Sequence, residues 1–267
     1  MIASERILFQ DDYFLAVNKL SGELSVRGKG EMDKLPLFDF LRTEHPGIHP
    51  VNRLDFETSG VMLFAKSRKV LEMMIGRRGN DQGPMTNDPS FAKATEGRQG
   101  PRTPPSLKLP ARSADHSGGR RAGNDQDEVP MQKTYRLLVS AGPLRERGVI
   151  RAPIKARSGK GMAPAETTYR VIERFPIATD VEATLASGRH HQIRRHFAFL
   201  KCPLILDDVY GDKKKNAKLR RALRYRRFFL HACKLSFVHP VTQQKVEVEA
   251  PMPKSFVDVL AKMRGAM

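Results

Sequence analysis

The sequence is poor in cysteine and has no long hydrophobic run. Its two cysteines, Cys202 and Cys233, do not form a C-x-x-C pair, so neither a disulfide framework nor a structural zinc site is expected. This usage is typical of a reducing, cytoplasmic compartment. No apolar segment approaches the roughly 18 residues of a membrane span, and the first residues include acids where a signal peptide would be apolar. We expect a soluble, cytoplasmic protein with no membrane partner.

Acidic residues are also scarce relative to basic ones. The chain of 267 residues has 47 Lys and Arg against 29 Asp and Glu, a formal net charge of +18. An excess of this size most often indicates a polyanionic partner, usually nucleic acid. Hydrophobic residues make up 40% of the chain, which is enough for a substantial core. The composition therefore favours a globular protein that binds nucleic acid.

One stretch differs from the rest in composition. Residues 79–130 hold 7 Gly and 7 Pro, and their seven basic residues balance seven acidic ones. Such a segment buries too little apolar surface to offset the entropy of ordering it. Nearly identical sequences flank it at 76–82 (GRRGNDQ) and 119–126 (GRRAGNDQ). We predict one domain over residues 1–267, interrupted by a disordered insertion at 79–122. The alternative is an RNA-binding arm, which the lack of net charge disfavours.

The remaining sequence alternates between strand and helix patterns. Strands are more numerous than helices, which are too few for a regular βαβ array. We therefore predict an α+β fold, with a mixed or mostly antiparallel central sheet flanked by helices. The predicted strands are 6–9, 13–18, 61–65, 133–140, 167–173, 181–186, 230–237 and 245–249, and the predicted helices are 35–45, one beginning after Ser67, 190–200 and 255–263.

Two short segments concentrate groups that can carry chemistry. Residues 52–60 (NRLDFETSG) place two acids and two hydroxyls just before an apolar strand, so this loop can present a carboxylate at a sheet edge. Composition alone favours a plain charged turn with a surface pair between Arg53 and Asp55. Residues 187–196 (SGRHHQIRRH) place Arg and His at a helix start, where backbone N–H groups favour anions. The alternatives for this second segment are a solvated helix face and a weakly indicated zinc site.

A third segment is strongly basic. Residues 213–227 contain nine basic side chains in fifteen positions and no acid. Charge runs are usually solvated faces, but a run this one-sided favours contact with phosphates, which is largely independent of nucleotide sequence.

The order of these segments resembles that of the RluA-type pseudouridine synthases. The resemblance covers nearly the whole chain except the predicted insertion. The matching elements are Arg53-Leu54-Asp55 with Thr58-Ser59-Gly60, then 133–135 (KTY), 188–196 as Gly-Arg-x-His-Gln-Ile-Arg-x-His, 229–232 (FLHA) and a closing segment at Pro251. Two positions depart from the family's pattern: Asn52 stands where His is usual, and Leu20 where Pro is usual.

The resemblance implies the pseudouridine synthase fold and the isomerisation of a specific uridine to pseudouridine in structured RNA, either rRNA, tRNA or both. It implies a short, catalytic-domain-only member that needs no cofactor, no metal and no obligate protein partner. The reaction breaks the bond between the uracil nitrogen and the ribose, turns the base and rejoins it through carbon. The target base is hidden in stacked RNA, so it must be flipped out.

The resemblance also implies roles for individual residues. Asp55 is the expected catalytic carboxylate, with Arg194 as its cationic partner and Tyr135 beside the target base. Whether Asp55 attacks the base, attacks the sugar or assists proton abstraction stays open. Leu230 supports the base or is a plain core residue. The expected RNA-binding residues are Arg53, which fills the space of the flipped base, and Arg189, His191, Gln192 and Leu230.

Two alternatives come from other functional classes. The first is a non-catalytic RNA-binding or ribosome-assembly protein on the same fold. The second is a metal-dependent nuclease that uses Asp207, Asp208 and nearby His residues.

Overall fold

The structure is a computed structural model that describes residues 2–27, 35–76, 131–155 and 161–265. The predicted insertion at 79–122 lies outside these residues. Within them, a mixed, largely antiparallel sheet of ten strands runs through the molecule with helices packed on it. The predicted α+β fold is therefore confirmed.

The elements follow the predicted order. A 3-10 turn, Ser4–Arg6, comes first. The strands are β1 (Ile7–Gln10), β2 (Phe14–Lys19), β3 (His49–Pro50), β4 (Ser59–Ala65), β5 (Gln132–Ser140), β6 (Arg147–Ile150), β7 (Ile154–Lys155), β8 (Met162–Ala163), β9 (Thr167–Arg174), β10 (Ala178–Leu185), β11 (Leu230–Val238) and β12 (Lys245–Glu249). The helices are α1 (Leu37–Glu44), α2 (Arg68–Gly76), α3 (Gln192–Phe199), α4 (Lys213–Leu223) and α5 (Lys254–Gly265).

The junction of β4 and β11 lies near the centre of the sheet. The strand order is β1-β2-β4-β11-β5-β10-β9-β6, with β3 paired to β4 and β12 to β11, while β7 and β8 form a separate hairpin. Within the described ranges, β4 and β11 form the one parallel pair, in which Ser59 lies opposite His231 and Gly60 opposite Ala232. All seven residues of β4 are buried, as is typical of a strand covered on both faces.

A glycine is required where β4 begins. Gly60 has φ +113°, and a Cβ at this position would lie 2.2 Å from the carbonyl oxygen of Ala232. A side chain is therefore excluded by both the backbone conformation and the close approach of β11. The 52–58 loop enters the sheet at this point, which places Asp55 at the end of the central strands.

One helix was missed in the sequence analysis. Residues 213–223, interpreted there only as a charge run, form α4. The carboxylate of Asp212 accepts the backbone N–H groups of Lys214 at 2.8 Å and Lys215 at 3.1 Å, which caps the helix. The helix buries little more than Asn216 and Leu223, so its hydrophobic pattern is too sparse to predict it.

Two further features concern membrane contact and the cysteines. No helix in the described ranges is both long and apolar enough to cross a membrane. Cys202 and Cys233 both carry free thiols.

Candidate active site

Two polar side chains anchor the loop that carries Asp55. The Asn52 side chain accepts the N–H of Leu63 at 2.7 Å and donates to the carbonyl of Val61 at 3.2 Å, so the departure from the usual His leaves the loop attached to β4. The hydroxyl of Ser25 donates to the Leu54 carbonyl at 2.6 Å and accepts the Leu54 N–H at 3.1 Å. The residue just before Asp55 is thus held by both of its backbone polar groups.

A buried lysine closes the other side of the loop. The Lys19 ammonium, which has no exposed surface, donates to the carbonyls of Leu20 at 3.1 Å, Phe56 at 3.2 Å and Thr58 at 2.6 Å. Burial lowers the pKa of Lys19 to about 7. The sequence analysis assigned no role to Lys19, which the structure shows to be the crosslink between the end of β2 and the Asp55 loop.

The junction of β4 and β11, where the Asp55 loop enters the sheet, is also hydrogen-bonded. The Ser59 hydroxyl lies 2.9 Å from Nδ1 of His231, and Nε2 of His231 lies 3.3 Å from the carbonyl of Ala250. Burial lowers the pKa of His231, so the ring is neutral. Because a carbonyl only accepts, Nε2 carries the proton and Nδ1 accepts from Ser59. This arrangement ties β4 to β11 directly below Asp55.

Arg194 lies beside Asp55, but its principal partner is Asp207. Nη1 of Arg194 lies 3.5 Å from Oδ2 of Asp55, whose side chain is 33% exposed. Arg194 comes from α3, is only 6% exposed, and makes a bidentate pair with Asp207: Nε to Oδ2 at 2.6 Å and Nη2 to Oδ1 at 2.9 Å. The guanidinium also lies over the rings of Phe228 and Tyr210, at 4.6 and 5.1 Å. Arg194 is therefore oriented by the protein and presents its remaining nitrogen to Asp55.

Asp207 was missed as a site residue in the sequence analysis, which considered it only as a metal ligand. Its Oδ1 also accepts the backbone N–H of Val209 at 2.9 Å, and its carbonyl accepts the N–H of Gly211 at 2.9 Å. A Cβ on Gly211 would lie 2.6 Å from that carbonyl. The turn from Asp207 to Gly211 is therefore built around this aspartate. The spacing of Asp207 and Gly211 in the sequence indicates a turn. It does not indicate what the acid binds, because its partner Arg194 lies 13 residues away in the chain.

The metal-nuclease alternative does not fit these contacts. The Asp207 carboxylate binds Arg194, and the Asp208 carboxylate binds Arg220 and Asn216. Neither acid presents its oxygens to a shared ion position. No group of three His, Cys, Asp or Glu side chains in the described part of the chain could hold a metal ion.

Tyr135 and Leu230 lie in the core beneath the Asp55 loop. Tyr135 on β5 is 8% exposed and belongs to the same hydrophobic cluster as Leu54 and Leu230. Burial raises the pKa of the Tyr135 hydroxyl, and the charge of Asp55 raises it further. Tyr135 therefore keeps its proton, and it lies within electrostatic reach of Asp55.

The expected RNA-binding residues are placed differently from one another. Gln192 is buried: its Oε1 accepts from Ser187 Oγ at 2.9 Å and from the N–H of Arg189 at 3.0 Å, while its Nε2 donates to the carbonyl of Glu166 at 2.8 Å. Its amide thus anchors the loop before α3. Arg53 and Arg189 are half-buried at the surface, and His191 has its Nε2 3.8 Å from Oδ2 of Asp55.

At the centre of the mixed sheet a partly exposed carboxylate thus lies near a buried guanidinium and a buried tyrosine, the set of groups that the resemblance to the pseudouridine synthases implies. The sequence profile of the family described as RNA pseudouridylate synthase matches residues 13–75 and 116–199. The chain belongs to that family, and it is an RNA pseudouridine synthase.

The curated relatives match over almost the whole chain. It is 30% identical over 272 residues to the ribosomal large subunit pseudouridine synthase C of Escherichia coli K12, covering 97% of this chain and 70% of that protein. It is 29% identical over 268 residues to the protein of the same name from Vibrio cholerae, with coverages of 97% and 70%. These identities confirm the RluA-type resemblance.

Two solved structures share the fold. Human RNA pseudouridylate synthase domain containing 4 matches with a TM-score of 0.63 at 21% identity, over 97% of this chain and 92% of that one. Human RNA pseudouridylate synthase domain containing 1 matches with a TM-score of 0.58 at 19% identity, over 99% and 97%.

Proposed function

We propose that this protein converts a uridine of large-subunit ribosomal RNA to pseudouridine, with Asp55 as the catalytic carboxylate. The contact between Asp55 and Arg194 carries the proposal, because it places an accessible acid against a buried cation. The ribosomal target is supported by the names of the relatives from E. coli and V. cholerae. Loss of pseudouridine with the Asp55→Asn protein is the test.

The proposed chemistry uses the carboxylate of Asp55, and the guanidinium of Arg194 lies 3.5 Å from it. Tyr135 offers a neutral hydroxyl for hydrogen bonding or proton transfer beside the flipped base. Arg53 precedes Asp55 by two residues and lies near the surface, where its side chain can occupy the space that the flipped uridine vacates. None of these roles requires a metal or a redox cofactor.

The non-catalytic alternative is not favoured. A protein that only binds RNA has no need for an acid that is one-third exposed beside a buried Arg–Asp pair. If the Asp55→Asn protein formed no pseudouridine yet restored every other cellular function of a gene deletion, RNA binding rather than the isomerisation would account for the cellular role.

We further propose that α4 binds RNA phosphates next to the site. Lys213, Lys214 and Lys215 occupy the first turn of the helix, where positive charge opposes the helix dipole. These charges do not serve the stability of the helix, which supports a role in binding. Asn216 ties α4 to the Asp207 turn: its Nδ2 donates to the carbonyl of Asp207 at 3.0 Å. The basic face is therefore held rigidly relative to Arg194.

Neutralising two of these lysines is expected to weaken RNA binding. Lys214 and Lys218 are exposed on one face of α4. The double variant Lys214→Gln, Lys218→Gln should raise KM several-fold at about 0.1 M salt and leave kcat unchanged. The plot of the logarithm of the binding constant against the logarithm of the salt concentration should also become less steep, by the amount expected for about two lost phosphate contacts. Steady-state kinetics and filter binding across a salt series measure both effects. Lys69→Gln, Lys254→Gln, which removes two exposed lysines from other helices, is the control; an equal change in both double variants contradicts the proposal.

The insertion at 79–122 is proposed to be dispensable. Its support is the near-repeat at its borders and the break in the family match between residues 75 and 116. A chain lacking residues 79–122 is expected to keep its Tm within a few degrees and its turnover within about twofold, because the entropy of closing a connecting segment depends only weakly on its length. Differential scanning calorimetry and pseudouridine mapping are the measurements. A large loss in either would show that the segment is a functional element.

A cytoplasmic location belongs to the same proposal. It is supported by the free thiols of Cys202 and Cys233 and by an RNA substrate.

A further inference from the structure

Asp55 has a second polar neighbour besides Arg194. Nε2 of His191 lies 3.8 Å from Oδ2 of Asp55, and Nδ1 of the same ring lies 3.0 Å from the hydroxyl of Tyr210. The Tyr210 hydroxyl in turn lies 3.0 Å from Nε of Arg195. The four side chains therefore form a continuous path from Arg195 to Asp55.

The protons along this path have a preferred direction. An arginine Nε–H only donates, so the Tyr210 oxygen accepts from Arg195 and its own proton is available for Nδ1 of His191. Burial lowers the pKa of His191 to about 4, even though the charge of Asp55 opposes this shift, so the ring is neutral at neutral pH. A neutral ring that accepts at Nδ1 carries its proton on Nε2, which is the nitrogen facing Asp55. The charged and titratable groups around His191 are Asp55, Arg194, His190, Arg195 and Tyr210.

We propose that Arg195 and Tyr210 hold His191 in the Nε2–H form and aim this N–H at the carboxylate of Asp55, which makes all three positioning residues for the isomerisation. The proposal rests on the proposed function of Asp55. The N–H of a neutral imidazole orients a carboxylate without neutralising its charge, so His191 complements the cation of Arg194. No bond to the RNA forms or breaks at these residues.

The local structure constrains the ring at several points. His191 adopts φ +53°, an uncommon left-handed conformation, at the start of α3, and its ring stacks on His190 at a centroid distance of 3.7 Å. Nη1 of Arg195 donates to the carbonyl of Lys155 at 3.1 Å, which fixes the far end of the path. This backbone conformation is strained for a non-glycine residue, so the surrounding contacts must maintain it.

One turn of the chain supports both neighbours of Asp55. Asp207 begins the turn and binds Arg194, and Tyr210, three residues later, contacts His191. The backbone N–H of Tyr210 also donates to Oδ1 of Asp207 at 3.3 Å. The positions of the cation and of the imidazole are therefore coupled through the same aspartate.

The test is Tyr210→Phe, with Tyr13→Phe as the matched control. Tyr13 lies just before β2, at the end of that strand opposite Lys19, so losing its hydroxyl should change nothing at the site. Nitrogen-15 NMR of histidine-labelled protein, with His191 assigned by its loss in His191→Gln, reports which ring nitrogen carries the proton. We expect a protonated Nε2 in the native protein and a shifted Nδ1 resonance in Tyr210→Phe. The kcat of the variant should fall about five- to tenfold, which is the effect expected from the loss of one hydrogen bond, and its KM should be unchanged.

Three results would overturn the proposal. These are a proton on Nδ1 of His191 in the native protein, an unchanged Nδ1 resonance in Tyr210→Phe, or a raised KM at unchanged kcat, which would make Tyr210 an RNA contact. If Tyr210→Phe does not fold, Arg195→Gln tests the same path from its other end by the same measurements. The NMR result needs no turnover, so it stands or falls separately from the role of Asp55.

Discussion

Replacing Asp55 by asparagine is expected to abolish pseudouridine formation, with turnover falling by more than about a thousandfold. The carboxamide has nearly the shape of the carboxylate but carries no charge and is a poor nucleophile and base. The 33% exposure of Asp55 and the separate anchors of its loop, Asn52, Ser25 and Lys19, mean that the fold should survive the change. RNA binding should therefore remain near the native level.

The measurement is carbodiimide labelling of pseudouridine in RNA treated with purified protein, together with filter binding of the same RNA. Asp12→Asn, a change of the same kind at an exposed hairpin turn, is the control and should leave turnover unchanged. Native levels of product from the Asp55→Asn protein would remove Asp55 from the chemistry and end the catalytic role proposed for it. Comparing pseudouridine maps of total RNA with and without the gene would identify the uridine and decide between rRNA and tRNA.

Removing Asp207 is expected to have the largest effect on stability. Asp207→Ala leaves the guanidinium of Arg194, which is 6% exposed, without its bidentate partner, and losing one member of a buried pair typically costs about 3–5 kcal/mol. The backbone caps at Val209 and Tyr210 are lost as well. Urea unfolding should show a lower midpoint with a similar slope, and turnover should fall because Arg194 is no longer oriented toward Asp55.

Two further variants test whether the loss of stability comes from breaking the pair between Arg194 and Asp207. Asp208→Ala removes the neighbouring acid, whose side chain is 43% exposed, and should cost only about 1 kcal/mol. The double variant Arg194→Met, Asp207→Leu replaces the pair by apolar groups and should regain the stability lost to the unpaired guanidinium, but neither the caps at Val209 and Tyr210 nor turnover. A fully active double variant would contradict the role of Arg194, whereas a stable Asp207→Ala protein would contradict the structural role of the pair.

Much of the candidate site was predictable from short-range patterns. Residues 52–60 and 187–196 concentrate the candidate reactive groups, and the structure brings Asp55 of the first segment to Arg194 and His191 of the second. The strands near 133–140 and 230–237 could be predicted because they are rich in β-branched and apolar residues, and the structure confirms them. The same reasoning did not reveal Lys19 or Asp207, since a lone lysine at a strand end and an acid in a loop look like ordinary surface residues.

The sequence by itself determined the family, the order of the elements and the set of candidate site residues, because these depend on local patterns and motif spacing. Only the tertiary structure decided which groups touch. It showed that Arg194 binds Asp207 more closely than Asp55, that Gln192 anchors a loop, and that Lys19 crosslinks the Asp55 loop. The physical reason is that a buried charge or amide must find partners, and in this fold those partners come from segments that lie far apart in the chain.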